Sequence, residues 1–281
     1  MKMQLRSKVW LASVLAMLMA GGAIWLWQGK ETTVAASVKI TEPDADDLTA
    51  FVATKVFFGH QSVGANVISG VGPTFEAATR PGPTVVETRD SPPSDSGALL
   101  HAYIGVNGDP FGKFTDFARV LNGPLGNHVD VAILKLCYVD IVASTDVDAV
   151  FSTYSTMMDE LEKKHPSVRF VYTTVPLSTD RGWKAIVKSW IGSDDQMGPA
   201  DNVARQRYNE LIRERYGRSG RLFDIAAVEA TIPDIPMQRS VDGRKYYVLN
   251  GALASDPGHL NELGARVAAA EFIRVVADAA R

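Results

Sequence analysis

The sequence predicts an α/β protein whose sheet is mainly parallel and is covered by helices on both faces. Short apolar runs suited to buried strands recur at 56–58, 129–136 and 168–175. Helical periodicity appears between such runs, and this repeated strand–helix alternation is typical of parallel sheets. Hydrophobic residues make up 46% of the 281 residues, which is enough for the core of one large domain.

The first 36 residues are expected to be a targeting segment rather than part of this fold. Three basic side chains within residues 1–8 precede an uncharged apolar run of 19 residues, over 9–27. A basic start followed by an apolar run is the pattern of an export signal, and this run is just long enough to cross a bilayer. The segment is expected to be an uncleaved membrane anchor, or a signal peptide cleaved near the small residues at 34–36. In both cases residues 37–281 are expected to form a single exported domain. This domain faces the periplasm or cell exterior if the segment stays, and is secreted if it is cleaved.

Charge and cysteine content exclude several classes of protein. Without residues 1–36 the chain carries 25 basic and 31 acidic side chains, a formal charge of −6. A nucleic-acid partner would need a basic face, so none is expected. Cys137 is the only cysteine, which rules out an internal disulfide and a cysteine-based zinc site.

A strand-to-helix elbow is predicted over residues 56–64, which read Val-Phe-Phe-Gly-His-Gln-Ser-Val-Gly. Three apolar residues precede a glycine and polar side chains, so the strand should end sharply and a helix should begin near Ser62. That placement puts a serine hydroxyl and free backbone N–H groups at the carboxyl edge of the sheet, where open α/β folds bind ligands. Ser62 is therefore a candidate nucleophile, and the alternative is that it only caps the helix.

The remaining elements follow the same alternation. The pattern predicts strands over 84–88, 129–136, 168–175 and 221–226, helices over 146–164 and 202–216, an irregular loop over 231–255, and a last helix after His259. Between the first and second of these four strands, Gly105, Asn107 and Gly108 predict a loop with special backbone angles and exposed N–H groups.

Residues 178–201 interrupt the alternation. An apolar helical face is predicted there, formed by Trp183, Ile186, Val187, Trp190 and Ile191. This helix either packs on the core, or forms a lid over a substrate with Trp183 and Trp190, or contacts a membrane surface.

Asp256 and His259 lie three residues apart, before the last predicted helix. Pro257 and Gly258 between them permit a tight bend that lets the aspartate reach His259 Nδ1 while Nε2 faces outward. An aspartate and a histidine arranged in this way can activate a serine. The alternative is that Asp256 caps the helix beside a surface histidine.

Together, the serine after the first strand and the Asp-x-x-His block resemble the SGNH, or GDSL-like, hydrolases. The resemblance covers the order of blocks from about Lys55 to Val276, and its closing block at 256–264 is the more specific one. It implies a three-layer α/β/α fold with a flavodoxin-like parallel sheet and no cofactor. It also implies that Ser62 is the nucleophile, His259 the general base and Asp256 the residue that orients it.

The sequence departs from the family pattern in two blocks. Gly-His-Gln-Ser at 59–62 replaces Gly-Asp-Ser, so His60 stands where an acidic residue is customary. The segment Cys-Tyr-Val-Asp at 137–140 keeps the aspartate of a Gly-x-Asn-Asp block but lacks its asparagine. One donor of the oxyanion hole must then come from elsewhere, because losing such a donor costs about 3 kcal/mol in barrier height.

The predicted loop at 105–108 is the first place to seek this donor. Asn107 is the candidate for the side-chain donor, and Gly105 or Gly108 would offer a backbone N–H. The N–H of Ser62 itself would be the remaining donor.

Other polar residues near these blocks have more than one interpretation. His60 either hydrogen-bonds backbone or lines the site. Lys135, within an apolar strand, must reach water or pair with a carboxylate, for which Asp140 is available. Cys137 is expected to be a buried apolar residue rather than a nucleophile. A metal site is a further alternative without tight ligand spacing, and would draw on His60, His101, Asp256 and His259.

The sequence therefore predicts an exported serine esterase that hydrolyses an acyl ester, with an acetyl ester on a glycan fitting the exported location. The expected partner is an acylated small molecule or glycan, with membrane contact through the N-terminal segment. One alternative is a polysaccharide O-acetyltransferase. The other is a non-catalytic glycan-binding domain.

Overall fold

The computed structural model describes residues 40–90, 96–180, 196–232 and 235–281. The predicted targeting segment and the two lid candidates, Trp183 and Trp190, lie outside these ranges. Within them, no helix combines the length and the apolar character needed to cross a membrane.

The sheet has six parallel strands. In chain order they are β1 (Lys55–His60), β2 (Val85–Glu87), β3 (Ala98–Tyr103), β4 (Val131–Leu134), β5 (Arg169–Thr173) and β6 (Leu222–Phe223). Across the sheet the order is β2-β3-β1-β4-β5-β6, and every neighbouring pair is parallel. Without the edge strand β2 this is the flavodoxin-like order. The chain crosses the sheet between β3 and β4, so β1 and β4 flank the point at which ligands bind in such folds.

Helices cover both faces of this sheet. The described helices are α1 (Ala45–Ala53), α2 (Ser62–Ala77), α3 (Pro110–Leu121), α4 (Val147–Lys164), α5 (Pro199–Tyr216), α6 (Ile225–Ala230) and α7 (Glu262–Ala280). On one face α7 packs against α1, α2 and α6, and on the other α4 packs between α3 and α5. Alternation along β1 sends Phe57 to Phe117 of α3 and Phe58 to Phe272 of α7. The predicted three-layer α/β/α fold is thereby confirmed.

The predicted irregular loop over 231–255 is wrong, because it contains short antiparallel strands. These are β7 (Thr231–Ile232), β8 (Ile235–Pro236), β9 (Gln238–Val241) and β10 (Arg244–Tyr247). Asp242 and Gly243 have φ of 48° and 75°, the positive values of a two-residue hairpin turn. The predicted strand at 221–226 also stops early, because the Asp224 carboxylate accepts the Ala227 N–H and starts α6.

Helix α2 packs closely on α7. This packing brings the start of α2 near the segment that precedes α7. A Cβ atom at Gly70 would lie 2.2 Å from the carbonyl oxygen of Ala265 and 2.9 Å from the Cβ of Ala269. Only a residue without a side chain allows this approach. Glycine is therefore required at position 70 for α2, the helix that begins at Ser62, to pack against α7.

We expect Gly70→Ala to lower the free energy of unfolding by about 1–3 kcal/mol, because the added methyl group overpacks a backbone carbonyl. Urea denaturation followed by circular dichroism measures this loss. Ser69→Ala, at the exposed neighbouring position of the same helix, should stay within about 0.5 kcal/mol of the wild type. Equal stabilities of the two variants would contradict the packing role of Gly70.

Candidate active site

The elbow between β1 and α2 has the predicted form. Helix α2 begins at Ser62, and its N-cap residue is Gln61, whose backbone is extended and whose side chain makes no capping hydrogen bond. Instead, Gln61 Nε2 donates to the carbonyl oxygens of Ile104 and Gly105, each at 3.0 Å. The elbow is thereby tied to the loop after β3. Ser62 does not cap the helix, so that alternative interpretation is wrong.

Ser62, His259 and Asp256 form one chain of hydrogen bonds. Ser62 Oγ lies 2.9 Å from His259 Nε2, and both Asp256 carboxylate oxygens lie 2.9 Å from His259 Nδ1. An ionised carboxylate only accepts, so Nδ1 must carry a proton. In the neutral ring Nε2 then holds a lone pair and accepts from the serine hydroxyl. This tautomer is the one a general base needs, and 197 positions of sequence separate the two residues.

The segment that carries His259 is an antiparallel strand pair, β11 (Ala254–Asp256) and β12 (His259–Leu260). Its bend packs on Tyr138, since a Cβ atom at Gly258 would lie 2.4 Å from the Tyr138 ring. The Tyr138 ring also meets the His259 imidazole edge-on at 6.1 Å between centroids. The N-cap of α7 is Asn261, which accepts the Gly264 N–H. Asp256 is therefore not the cap, and that alternative is wrong.

The carboxylate beside His259 stays charged over a wide pH range. Burial alone would raise the pKa of Asp256, but hydrogen bonds from the Gly258 N–H and from His259 hold it below its ordinary value. The Asp256 side chain is 51% exposed and that of His259 31% exposed. The three residues thus lie on an open edge of the sheet, accessible to a substrate.

The two glycines of the loop after β3 have the predicted special angles, with φ of +60° at Gly105 and +86° at Gly108. Their N–H groups, however, are already bound. Gly105 N donates to Asp116 Oδ2 and Gly108 N to Asp140 Oδ1, both at 2.8 Å. The expectation that either glycine offers a free N–H to an oxyanion is therefore wrong.

Asn107 remains a candidate donor because of its partner, Lys113. Lys113 Nζ lies 2.9 Å from Asn107 Oδ1, and an ammonium group only donates. The amide must therefore turn its oxygen to Lys113 and its amino group away from it. Within the described residues that amino group has no hydrogen-bond acceptor. The backbone N–H of Ser62 likewise has no backbone hydrogen-bond acceptor among the described residues.

A buried ion pair holds this loop, and it is the functional feature that the sequence analysis missed. Lys113 Nζ donates to Asp140 Oδ2 at 2.5 Å, and the two side chains are 1% and 0% exposed. Asp140 also accepts the N–H groups of Gly108 and Cys137. The sequence did contain a sign of this ion pair. Lys113 lies four residues before Phe117, on the apolar face of α3, and a lysine on a buried face needs an acidic partner.

Lys135 does not pair with Asp140, contrary to the expectation. Its Nζ donates to the Leu136 carbonyl at 3.0 Å, while Asp140 is bound to Lys113. Burial lowers the pKa of Lys135, and burial raises the pKa of nearby Glu229 to about 8. Cys137 is 1% exposed, which confirms the expectation of a buried residue.

His60 lies beneath the elbow at 1% exposure, so it does not line the open side of the site. Its Nε2 lies 3.1 Å from His101 Nδ1. Of the four residues considered as metal ligands, His60 contacts His101, and Asp256 contacts His259. Among the described residues, however, no group of three or more histidine, cysteine or acidic side chains could hold a metal ion.

No family model and no curated protein matches the chain. Solved structures similar to it include a protein described as a platelet activating factor from Streptococcus pneumonia, at 11% identity and TM-score 0.46, covering 92% of this chain and 97% of that one. Another is described as a lipolytic protein of the G-D-S-L family from Desulfitobacterium hafniense DCB-2, at 12% identity and TM-score 0.47, covering 79% and 99%. A third is the periplasmic domain of a lipopolysaccharide acetyltransferase from Salmonella ser. Paratyphi A, at 12% identity and TM-score 0.41, covering 78% and 82%.

We expect Lys113→Met to lower the free energy of unfolding by about 3–5 kcal/mol, because it leaves the Asp140 carboxylate buried without a counter-charge. Urea denaturation measures this loss. Adding Asp140→Asn removes the stranded charge, so the double variant should lose less than the sum of the single losses.

Arg119→Met is the matched control on the same helix. Its exposed ion pair with Asp116 should contribute no more than about 1 kcal/mol. If the losses of unfolding free energy in Lys113→Met and Asp140→Asn simply added in the double variant, the two side chains would not be coupled as their geometry requires.

Proposed function

We propose that this protein is an exported serine esterase that cleaves acyl esters through Ser62, His259 and Asp256. The observation that carries the proposal is the hydrogen-bond chain from Asp256 through His259 to Ser62, with each link at 2.9 Å. Its position supports the same conclusion, because it lies at the carboxyl edge of a parallel sheet where α/β folds bind ligands.

The reaction follows from the protonation states of these groups. Ser62 Oγ attacks the acyl carbonyl carbon while His259 Nε2 takes the hydroxyl proton. The tetrahedral intermediate collapses, the ester C–O bond breaks, and His259 returns the proton to the departing alcohol. Water then attacks the acyl-enzyme with His259 again as base. The products are a carboxylic acid and an alcohol, and Ser62 is restored.

Two donors are available for the negative charge of the intermediate. The Ser62 N–H lies at the start of α2, where the helix dipole also favours an anion. We assign the second donor to the Asn107 amino group, which faces away from Lys113 and would take the place of the asparagine missing from residues 137–140. Hydrogen-bond donors aimed at the developing negative charge supply a large part of the rate enhancement in acyl transfer.

The substrate and location remain parts of the proposal that rest on the sequence. An exported enzyme anchored or secreted through residues 1–36 would meet acylated glycans, and acetyl esters on such glycans are the proposed substrates. The acyl-enzyme could also pass its acyl group to a sugar hydroxyl instead of water. Mass spectrometry of a glycan acceptor incubated with an acyl donor distinguishes these two outcomes.

Ser62→Ala should abolish p-nitrophenyl acetate hydrolysis, with a loss of at least about 10³-fold in kcat, because no other hydroxyl lies in the hydrogen-bond chain. Ser69→Ala, on the exposed side of the same helix, should keep wild-type turnover. Both variants should retain the wild-type circular dichroism spectrum. Undiminished turnover in a folded Ser62→Ala variant would remove this serine from the mechanism.

The wild type should also be labelled at Ser62 by a fluorophosphonate probe, as located by peptide mass spectrometry. A folded wild type that binds glycan but neither hydrolyses esters nor reacts with the probe would be a non-catalytic glycan-binding domain instead.

Asp256→Asn should lower kcat by about 10³–10⁴-fold while KM changes little, because an amide N–H facing Nδ1 favours the wrong tautomer of His259. Steady-state kinetics over a range of pH measures this effect. Asp278→Asn, a surface aspartate near the end of α7, is the control and should leave kcat unchanged. A loss confined to KM would argue that Asp256 binds substrate rather than orienting the base.

A further inference from the structure

A pair of histidines lies directly beneath the elbow, and the proposed reaction does not use it. His60 Nδ1 lies 2.8 Å from the carbonyl oxygen of Gln61, and His60 Nε2 lies 3.1 Å from His101 Nδ1. His60 is the residue that ends β1, and it is 1% exposed. A buried polar ring of this kind is stable only when its nitrogen atoms are matched with partners.

The partners determine where the protons lie. A carbonyl oxygen only accepts, so His60 Nδ1 must carry a proton and donate it to Gln61. In the neutral ring His60 Nε2 is then an acceptor, and His101 Nδ1 must donate to it. Both imidazoles therefore carry their proton on Nδ1. The result is a directed relay from His101 through His60 to the carbonyl of Gln61.

The surroundings keep His60 neutral. Burial, the Lys135 ammonium group and His101 lower the pKa of His60 to about 4, with the hydrogen bond to Gln61 opposing them. Tyr103 packs on the ring at 5.0 Å between centroids and adds no charge. Burial lowers the pKa of His101, and the charge of the Glu87 carboxylate, which lies opposite His101 on the neighbouring strand, opposes this shift.

The Gln61 carbonyl and the Ser62 N–H belong to the same peptide group. This group is planar and trans, so its C=O and N–H point in opposite directions. The N–H groups of Gly64 and Ala65 donate to the same oxygen, at 2.8 and 3.2 Å. Together with His60 they fix the plane in which the Ser62 N–H lies. Donation to the carbonyl also polarises the peptide group and makes its N–H a stronger donor.

The first turn of α2 is shaped to admit the His60 ring. A Cβ atom at Gly64 would lie 2.3 Å from the Cβ of His60 and 2.8 Å from its Nδ1. Any larger residue at position 64 would displace the imidazole. His60 and Gly64 thus act as one structural unit within the elbow.

We propose that His60, held in one tautomer by His101, is a positioning residue that directs the Ser62 N–H toward the negative charge developing on the substrate. The inference rests on the proposed serine esterase function and deepens it, because it assigns the setting of one oxyanion donor to a histidine behind the nucleophile. His60 does not touch the substrate.

Three variants of His60 separate hydrogen bonding from packing. Asparagine can place an N–H where His60 Nδ1 lies, glutamine places one nearer the position of Nε2, and leucine places none. For p-nitrophenyl acetate we expect His60→Asn to keep kcat within about fivefold of the wild type. His60→Gln and His60→Leu should lose about 10- to 100-fold in kcat, with KM changed by less than about threefold. The inhibition constant of a boronic acid, which mimics the tetrahedral intermediate, should rise in parallel with the loss of kcat.

His165→Leu is the matched control, since His165 lies at the far end of α4 and bonds Asn122. Equal kcat in the asparagine and glutamine variants would overturn the proposal, as would a loss confined to KM. Because both of these variants carry an amide, this comparison stands even if the leucine variant fails to fold.

Nitrogen-15 NMR of the wild-type imidazoles at neutral pH tests the relay without any substrate. Both His60 and His101 should show a protonated Nδ1 and an unprotonated Nε2. A proton on His60 Nε2 would overturn the proposal. An enzyme that neither hydrolyses esters nor reacts with a fluorophosphonate would instead count against the esterase function, and the NMR result would still decide the relay.

Discussion

The parallel pairing of β1 between β3 and β4 is the constraint on which the rest of this site depends. His60 pairs with Tyr103 in register, and Gly59 pairs with Leu134. Three strands therefore end at nearly the same level, and their following loops meet at one edge. Because β1 is central, a slip by one residue would turn Phe57 and Phe58 to the wrong faces and lose both layers of core packing. The hydrophobic core thus fixes the position of the serine.

Two carboxylates, the partly buried Asp116 and the buried Asp140, then shape the loops that the strands bring together. Asp116 accepts the Gly105 N–H, and Asp140 accepts those of Gly108 and Cys137. Each acid is matched by a cation, so neither leaves an uncompensated charge. A loop with positive φ at two glycines would otherwise be mobile at a sheet edge. Here the backbone of the loop is held at Gly105 and Gly108, and the Asn107 side chain is held by its contact with Lys113.

Residues that act through local patterns were predictable from the sequence. The elbow follows from apolar residues running into Gly59, and the bend at Pro257 and Gly258 follows from their backbone properties. The Lys113–Asp140 pair was not found, because its partners are 27 positions apart and only the sheet brings α3 beside the segment after β4. The hydrogen bonds from the Gly105 and Gly108 N–H groups to Asp116 and Asp140 were missed for the same reason. Periodicity shows which face is buried, but not which buried carboxylate a backbone group will meet.

The two histidines nearest to Ser62 show how surroundings assign different tasks to the same side chain. His259 has the Asp256 carboxylate on Nδ1 and is partly exposed, and its Nε2 lies within hydrogen-bond distance of Ser62 Oγ. His60 is enclosed between a lysine and another histidine and has a carbonyl on Nδ1, so its neutral form is favoured. A second exchangeable base beside the serine would compete for its proton. In the proposed mechanism, a neutral His60 occupied with the Gln61 carbonyl would leave Ser62 with a single base, His259.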